Sequence, residues 1–163
     1  MKEKNFFLNI KKQLPKGCFI QKIENKFNSG FPDLIIITDK LPLFIELKAP
    51  IKGNRITVEK SQISIHLRIQ ANNYISFFLI RDPLTSDLFL FDGGKLCTFI
   101  SVNLCKPSLS TELPGYLDHG DLVRVLETAN RVARIKSQRK WNGRSAILCD
   151  FCGREIKKRK KPE

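Results

Sequence analysis

The chain has 163 residues, of which 42% are hydrophobic and 12 are phenylalanine, so it can bury a core, and a disordered polyelectrolyte is excluded. The formal net charge of +13 favours a polyanionic partner such as nucleic acid. No apolar run approaches the roughly 20 residues of a membrane span. The first residues are charged, unlike a signal peptide, and the number of cysteines is odd, unlike a set of paired disulfides. We therefore expect a cytoplasmic protein that is neither secreted nor membrane-bound.

Apolar periodicity predicts the elements of the first half. Helical spacing predicts a helix over 4–13, and a short strand follows over 18–24. Two runs rich in β-branched residues, 33–38 and 43–48, are joined by a short polar segment and predict a hairpin. The periodicity of 57–73 fits either a helix or a strand, and its length favours a helix.

Strands and a last helix are predicted in the second half. Apolar runs over 75–80 and 88–91 predict two strands, and residues 92–95 predict a turn. Asp118 or Asp121 would cap a last helix that runs to about residue 135. This order predicts an α/β fold in which helices flank a mixed central sheet.

Basic residues concentrate near the C-terminal end. Residues 131–163 hold 12 of the 29 basic residues. We therefore predict a body over 1–130 and a basic C-terminal extension over 131–163 that binds the phosphates of nucleic acid. The candidate DNA-binding residues of this extension are Arg139, Lys140, Lys157, Lys158, Arg159, Lys160 and Lys161.

Three charged side chains interrupt the apolar hairpin. Glu46 and Lys48 are two positions apart and leave the same face of their strand. A four-residue loop would pair Thr38 with Leu43, which places Asp33 opposite Lys48 and diagonal to Glu46. Carboxylates are the hard oxygen ligands of Mg²⁺ or Mn²⁺, and an ammonium stabilises phosphoryl charge. The pattern favours metal-assisted phosphodiester hydrolysis, and the alternative is a buried ion-pair cluster without chemistry.

Pro32-Asp33 followed by Glu46-Leu47-Lys48 resembles the motif of the PD-(D/E)XK nuclease superfamily. The downstream Gln62 looks like the helix glutamine of the virus-type replication-repair nuclease (VRR-NUC) branch, and archaeal-type Holliday-junction resolvases are the second choice. The resemblance covers residues 4–82. It implies a restriction-endonuclease-like core and an Mg²⁺-dependent endonuclease that acts on double-stranded or branched DNA in replication, recombination or repair.

The resemblance also implies a role for each matching residue. Asp33 and Glu46 would be the metal ligands, and Leu47 would contribute its backbone carbonyl to the same metal. Lys48 would be the catalytic lysine. Gln62 would orient Lys48 or the attacking water from the neighbouring helix.

Two further residues have a functional and a structural interpretation. Many relatives carry an additional early acid, so Glu24 is a candidate metal ligand, and a surface glutamate is the alternative. His66 lies one helical turn beyond Gln62 and could reach a DNA phosphate, although a lone histidine is more often structural. The sequence leaves both questions open.

A Cys-x-x-Cys pair lies in the basic extension. Cys149 and Cys152 have the spacing of a zinc knuckle, and reduced cysteines are the alternative. The remaining Zn²⁺ ligands would come from Cys97, Cys105 or His119.

Two other functions compete with the simple nuclease. One is a four-way-junction resolvase, which would require a homodimer to cut two strands symmetrically. The other is a non-catalytic zinc-knuckle protein that binds nucleic acid. A small nuclease without a recognition domain is also compatible with a virus or mobile element, in which case we expect it in the host cytoplasm.

Overall fold

A computed structural model describes residues 3–24, 29–38, 41–50 and 53–151. The helices are α1 (Glu3–Gln13), α2 (Lys60–Ala71), α3 (Gly93–Asn103) and α4 (Leu122–Phe151). The strands are β1 (Phe19–Lys22), β2 (Leu34–Ile37), β3 (Leu43–Lys48), β4 (Phe77–Arg81), β5 (Leu88–Asp92) and β6 (Tyr116–Gly120). No helix in these ranges is long and apolar enough to cross a membrane.

The six strands form one sheet in chain order, β1 to β6. Neighbouring strands are antiparallel except β3 and β4, which are parallel and are joined by α2. Residues of α1 and α4 pack on one face in a first core, and residues of α2 and α3 pack on the other face in a second core. The predicted α/β fold with a mixed sheet flanked by helices is therefore confirmed.

Burial sets the hairpin register two residues away from the predicted one. Leu43 lies opposite Ile36, whereas a four-residue loop would have placed it opposite Thr38. Both Ile36 and Leu43 are fully buried in the first core, so the register follows the core and the loop is longer than predicted. Thr38 instead accepts a hydrogen bond from the side-chain amide of Asn130 on α4.

This register error does not change the face on which any side chain lies, because side chains alternate with a period of two. It does change which charged residues are neighbours. Leu34 pairs with Ile45, so the same register continued by one residue places Asp33 beside Glu46. The predicted partner, Lys48, lies two positions further along β3.

The predicted turn at 92–95 is wrong, because these residues begin α3. The side chain of Asp92 accepts a hydrogen bond from the backbone N–H of Lys95 at 3.1 Å and so caps the helix. A Cβ at Gly94 would lie 2.6 Å from the side chain of Gln70 on α2. The glycine therefore allows two helices to approach closely, which a local sequence pattern does not distinguish from a turn.

The last helix is longer than predicted. Asp121, rather than Asp118, caps it by accepting a hydrogen bond from the backbone N–H of Arg124 at 2.9 Å. Helix α4 continues to Phe151 and passes through the proposed boundary between residues 130 and 131, so the division into body and extension stays a prediction.

Candidate active site

The candidate site begins on β3, which lies between β2 and β4 in the sheet. Glu46 is 1% exposed, and its Oε1 lies 3.5 Å from the Nζ of Lys48. An ionised carboxylate at this depth requires a compensating charge. The Lys48 ammonium supplies that charge from the next position on the same face of β3.

Asp33 adds a second carboxylate from the residue before β2. Its Oδ2 accepts a hydrogen bond from the backbone N–H of Leu47 at 2.9 Å, and its backbone carbonyl accepts one from Ile23 at 2.7 Å. Burial raises the pKa of Asp33, and the hydrogen bonds with Leu47 and Glu46 and the charge of Lys48 oppose that rise only in part. The carboxyl groups of Asp33 and Glu46 therefore lie close to each other and to the Lys48 ammonium.

Gln62 connects these groups from α2. Its Oε1 accepts hydrogen bonds from Lys48 Nζ at 2.9 Å and from the backbone N–H of Glu59 at 3.0 Å, and its Nε2 donates to Glu46 Oε1. The amide thus binds both the cation and the anion of the pair. The structure brings Gln62 to Lys48, as the resemblance implied.

Gly30 holds the start of α2 against the loop that carries Asp33. Its φ is +97°, and a Cβ there would overlap the backbone of Ser61 and lie 2.8 Å from the backbone nitrogen of Gln62. Only glycine can adopt this positive φ and allow this close approach of α2 without strain. The glycine before Asp33 is therefore explained by the approach of the Gln62 helix.

The donor set fits a divalent metal ion. Asp33 and Glu46 offer hard oxygen atoms side by side, and burial raises the pKa of Asp33, a cost of ionisation that a bound cation would offset. In the described ranges no group of three or more His, Cys, Asp or Glu residues gathers to hold a metal. Further ligands would have to come from water or the backbone, and the Leu47 carbonyl stays a prediction.

Glu24 lies at the surface. Its carboxylate is 74% exposed and forms an ion pair with Lys22 Nζ at 2.9 Å. The metal-ligand assignment for Glu24 therefore stays a prediction that this contact does not support.

The idea that His66 reaches a DNA phosphate is wrong, because none of its side chain is exposed and its Nδ1 lies 2.6 Å from Ser76 Oγ. Cys97 is also fully buried, and burial raises the pKa of its thiol to about 12; its part in a zinc site with Cys149 and Cys152 stays a prediction. The sequence did not show which faces of α2 and α3 would be buried against the sheet and against each other.

Several predicted residues lie outside the described part of the chain. These are Cys152, Lys157, Lys158, Arg159, Lys160 and Lys161. The backbones of Arg139, Lys140 and Cys149 belong to α4, but their side chains lie outside the described residues. The zinc and DNA-binding assignments of these residues stay predictions.

No protein-family model matches the chain, and no curated protein matches it. Among solved structures, the chain is similar to Hjc, a Holliday junction resolvase from the hyperthermophilic archaeon Archaeoglobus fulgidus. The identity is 15%, the match covers 71% of this chain and 84% of that one, and the TM-score is 0.42. A likeness this weak assigns neither activity nor substrate, so the chain's own residues must support a function.

Proposed function

We propose that this protein is a metal-dependent nuclease of the PD-(D/E)XK type that hydrolyses DNA phosphodiester bonds as an endonuclease. The observation that carries the proposal is the contact of Asp33, Glu46, Lys48 and Gln62 in one cluster at the end of a buried hairpin. The restriction-endonuclease-like core and the VRR-NUC branch belong to this proposal.

Asp33 and Glu46 would hold Mg²⁺ or Mn²⁺. A bound metal ion of this kind neutralises charge on phosphoryl oxygens and lowers the pKa of a bound water. The Leu47 N–H contributes by fixing Asp33, since it donates a hydrogen bond to one carboxylate oxygen at 2.9 Å.

Lys48 supplies the positive charge that phosphoryl transfer requires. Its ammonium has three N–H donors, and Gln62 Oε1 accepts one of them at 2.9 Å. The remaining donors can bind a non-bridging phosphate oxygen or orient the attacking water. Because Gln62 also binds Glu46, the ammonium is held in place before a substrate arrives.

DNA is the proposed substrate because the chain carries a net charge of +13 and the site is suited to a phosphodiester. A homodimer that cuts four-way junctions is the special case of this function that requires symmetry.

The test incubates the purified protein and Mg²⁺ with linear, circular, flapped and four-way-junction DNA. Nicking of the circular DNA by wild type, and its loss in chelator and in the Asp33→Asn, Glu46→Gln and Lys48→Met variants, is the expected result. Glu127→Gln is the matched control, because Glu127 lies exposed on α4, which packs on the face of the sheet opposite α2. Undiminished cleavage by the three site variants would overturn the proposal.

A further inference from the structure

Helix α2 packs on the sheet through apolar and polar contacts. Ile63 and Leu67 pack against the second core, and His66 is the only one of the 12 residues of α2, all of them described, that is buried. A buried imidazole needs hydrogen-bond partners within the protein. A polar contact therefore contributes to the position of α2.

The imidazole of His66 is closely surrounded. Its Nδ1 lies 2.6 Å from Ser76 Oγ, and its ring lies over Phe78 with a centroid distance of 4.5 Å. The backbone N–H of Gly93 donates to the Ser76 carbonyl at 2.8 Å, and a Cβ at Gly93 would lie 2.5 Å from the imidazole Nδ1. The ring thus lies between β4 and the start of α3, with no room to move toward α3.

This contact is adjacent to the candidate active site. Gln62 precedes His66 by four residues, so the two lie on the same side of α2, one turn apart. Phe78, beneath the imidazole, is the β4 register partner of Glu46. A shift of α2 of about 1 Å away from β3 would stretch the 2.9 Å hydrogen bond between Gln62 and Lys48 out of range.

We infer that His66 is a positioning residue, which with Ser76 holds α2 at the height and rotation at which Gln62 reaches Lys48 and Glu46. This inference rests on the proposed function, because it gives the buried imidazole a part in preparing the site for hydrolysis. Burial, assisted by the charge of Lys48, lowers the pKa of His66 to about 4, so the ring is neutral near neutral pH and shares one hydrogen bond with the Ser76 hydroxyl.

Three substitutions separate positioning from stability. Ser76→Ala and His66→Phe each remove the hydrogen bond, whereas His66→Asn keeps a polar atom near the position of Nδ1. Leu67→Ala is the control for loosened packing, because it trims an apolar contact between α2 and the second core and leaves the His66–Ser76 hydrogen bond in place. All variants are assayed well below their unfolding temperatures.

We expect Ser76→Ala and His66→Phe to lower kcat by about 10- to 100-fold with KM little changed, since an error of about 1 Å in a catalytic group has an effect of that size. His66→Asn restores most of kcat, and Leu67→Ala leaves kcat unchanged. In a Gln62→Ala background, His66→Phe lowers kcat no further, because the group that it positions is gone.

A second readout does not depend on cleavage. In ¹⁵N-labelled protein, the side-chain amide resonances of Gln62 shift in Ser76→Ala and His66→Phe but not in Leu67→Ala. Unshifted resonances in both of the first two variants would overturn the inference and leave the proposed function standing. A wild type that cleaves no DNA would overturn the proposed function, and the resonances would still decide whether His66 positions Gln62.

Discussion

Among the described residues, two clusters that join the sheet to a helix pair a carboxylate with a cation, and they behave differently. In the candidate site, Glu46 and Lys48 are both largely buried. In the second cluster, on β6 and α4, Asp118 lies 2.9 Å from the guanidinium of Arg124, which is 64% exposed. The two clusters use similar residue types, so the difference lies in how completely each charge is balanced.

The carboxylate of Asp118 accepts several hydrogen bonds. It accepts hydrogen bonds from Arg124 Nε at 3.1 Å, from the Thr128 hydroxyl at 2.7 Å and from the His119 backbone N–H at 2.9 Å. Burial acts to raise the pKa of Asp118, but these hydrogen bonds outweigh burial and lower that pKa. One carboxylate with one guanidinium and further donors is a structural ion pair.

The candidate site is the unbalanced cluster, because burial raises the pKa of Asp33 by more than its hydrogen bonds and the charge of Lys48 lower it. At Asp118 the order is reversed, and the hydrogen bonds outweigh burial. A bound cation would therefore offset a cost at Asp33 that is already met at Asp118.

The largest expected effect is on cleavage. Lys48→Met should lower kcat by about a thousandfold, since loss of one preorganised charge in the transition state has an effect of that order. Arg124→Met, the same change in the structural cluster, should leave kcat within about twofold of wild type. Single-turnover cleavage of a labelled duplex measures both, and equal losses in the two variants would remove the distinction between the clusters.

Metal binding should stabilise only the unbalanced cluster. Mg²⁺ at about 100 times its Kd should add about 2.7 kcal/mol to the free energy of unfolding. The increase should vanish in Asp33→Asn and persist in Asp118→Asn. Thermal unfolding with and without Mg²⁺ tests this, and a shift that survives in Asp33→Asn would contradict the assignment of the ligand.

The two aspartates should affect stability with opposite signs in metal-free buffer at neutral pH. Because the pKa of Asp33 is raised above 3.8 in the folded protein, ionisation of Asp33 favours unfolding as the pH rises through that window, so Asp33→Asn should increase the free energy of unfolding. The pKa of Asp118 is lowered, so its contribution is present above 3.8 and is lost as the pH falls through the folded-state pKa. Asp118→Asn should therefore decrease stability at neutral pH, by about 1–3 kcal/mol.

Urea unfolding at neutral pH in chelator, repeated near pH 4, measures both changes. The changes in the free energy of unfolding caused by Asp33→Asn and Asp118→Asn should both be smaller near pH 4, where the two carboxyl groups are closer to protonation in the folded and the unfolded state. Changes of the same sign at neutral pH would show that the two clusters are alike.

The smallest effect on cleavage and stability is expected at the exposed ion pair of Lys22 and Glu24. Because the Glu24 carboxylate is 74% exposed, Glu24→Gln should change stability by less than about 1 kcal/mol and kcat by less than about twofold. A kcat loss like that of Lys48→Met would instead establish Glu24 as a metal ligand.

The alternation of side chains along β3 was predictable from the sequence, and so was the helix that carries Gln62. Both depend on local periodicity, which the sequence shows directly. The register of the hairpin was not predictable, because it follows from the joint burial of Ile36 and Leu43 rather than from the loop. The two-residue error in register left Asp33 on the correct face of the sheet but placed it opposite Lys48 instead of Glu46.

The missed elements have a different cause. Strand β6 (YLDHG) lacks an apolar run, and the carboxylate of its Asp118 is paired by Arg124 and Thr128 of α4. The glycines that begin α3 serve the contact with α2, which local sequence does not reveal. The burial of His66 likewise depends on Ser76, just before β4, and on Phe78 within it.

The parallel pairing of β3 and β4 has a practical consequence. Lys48 pairs with Ile80, so the turn that follows β4 emerges at the same edge of the sheet as the candidate site. Leu84, in that turn, is 83% exposed. Under the proposed function, a loop grafted at this exposed turn would lie at the edge of the sheet where DNA would bind, which makes the turn a place to test for changes in sequence preference.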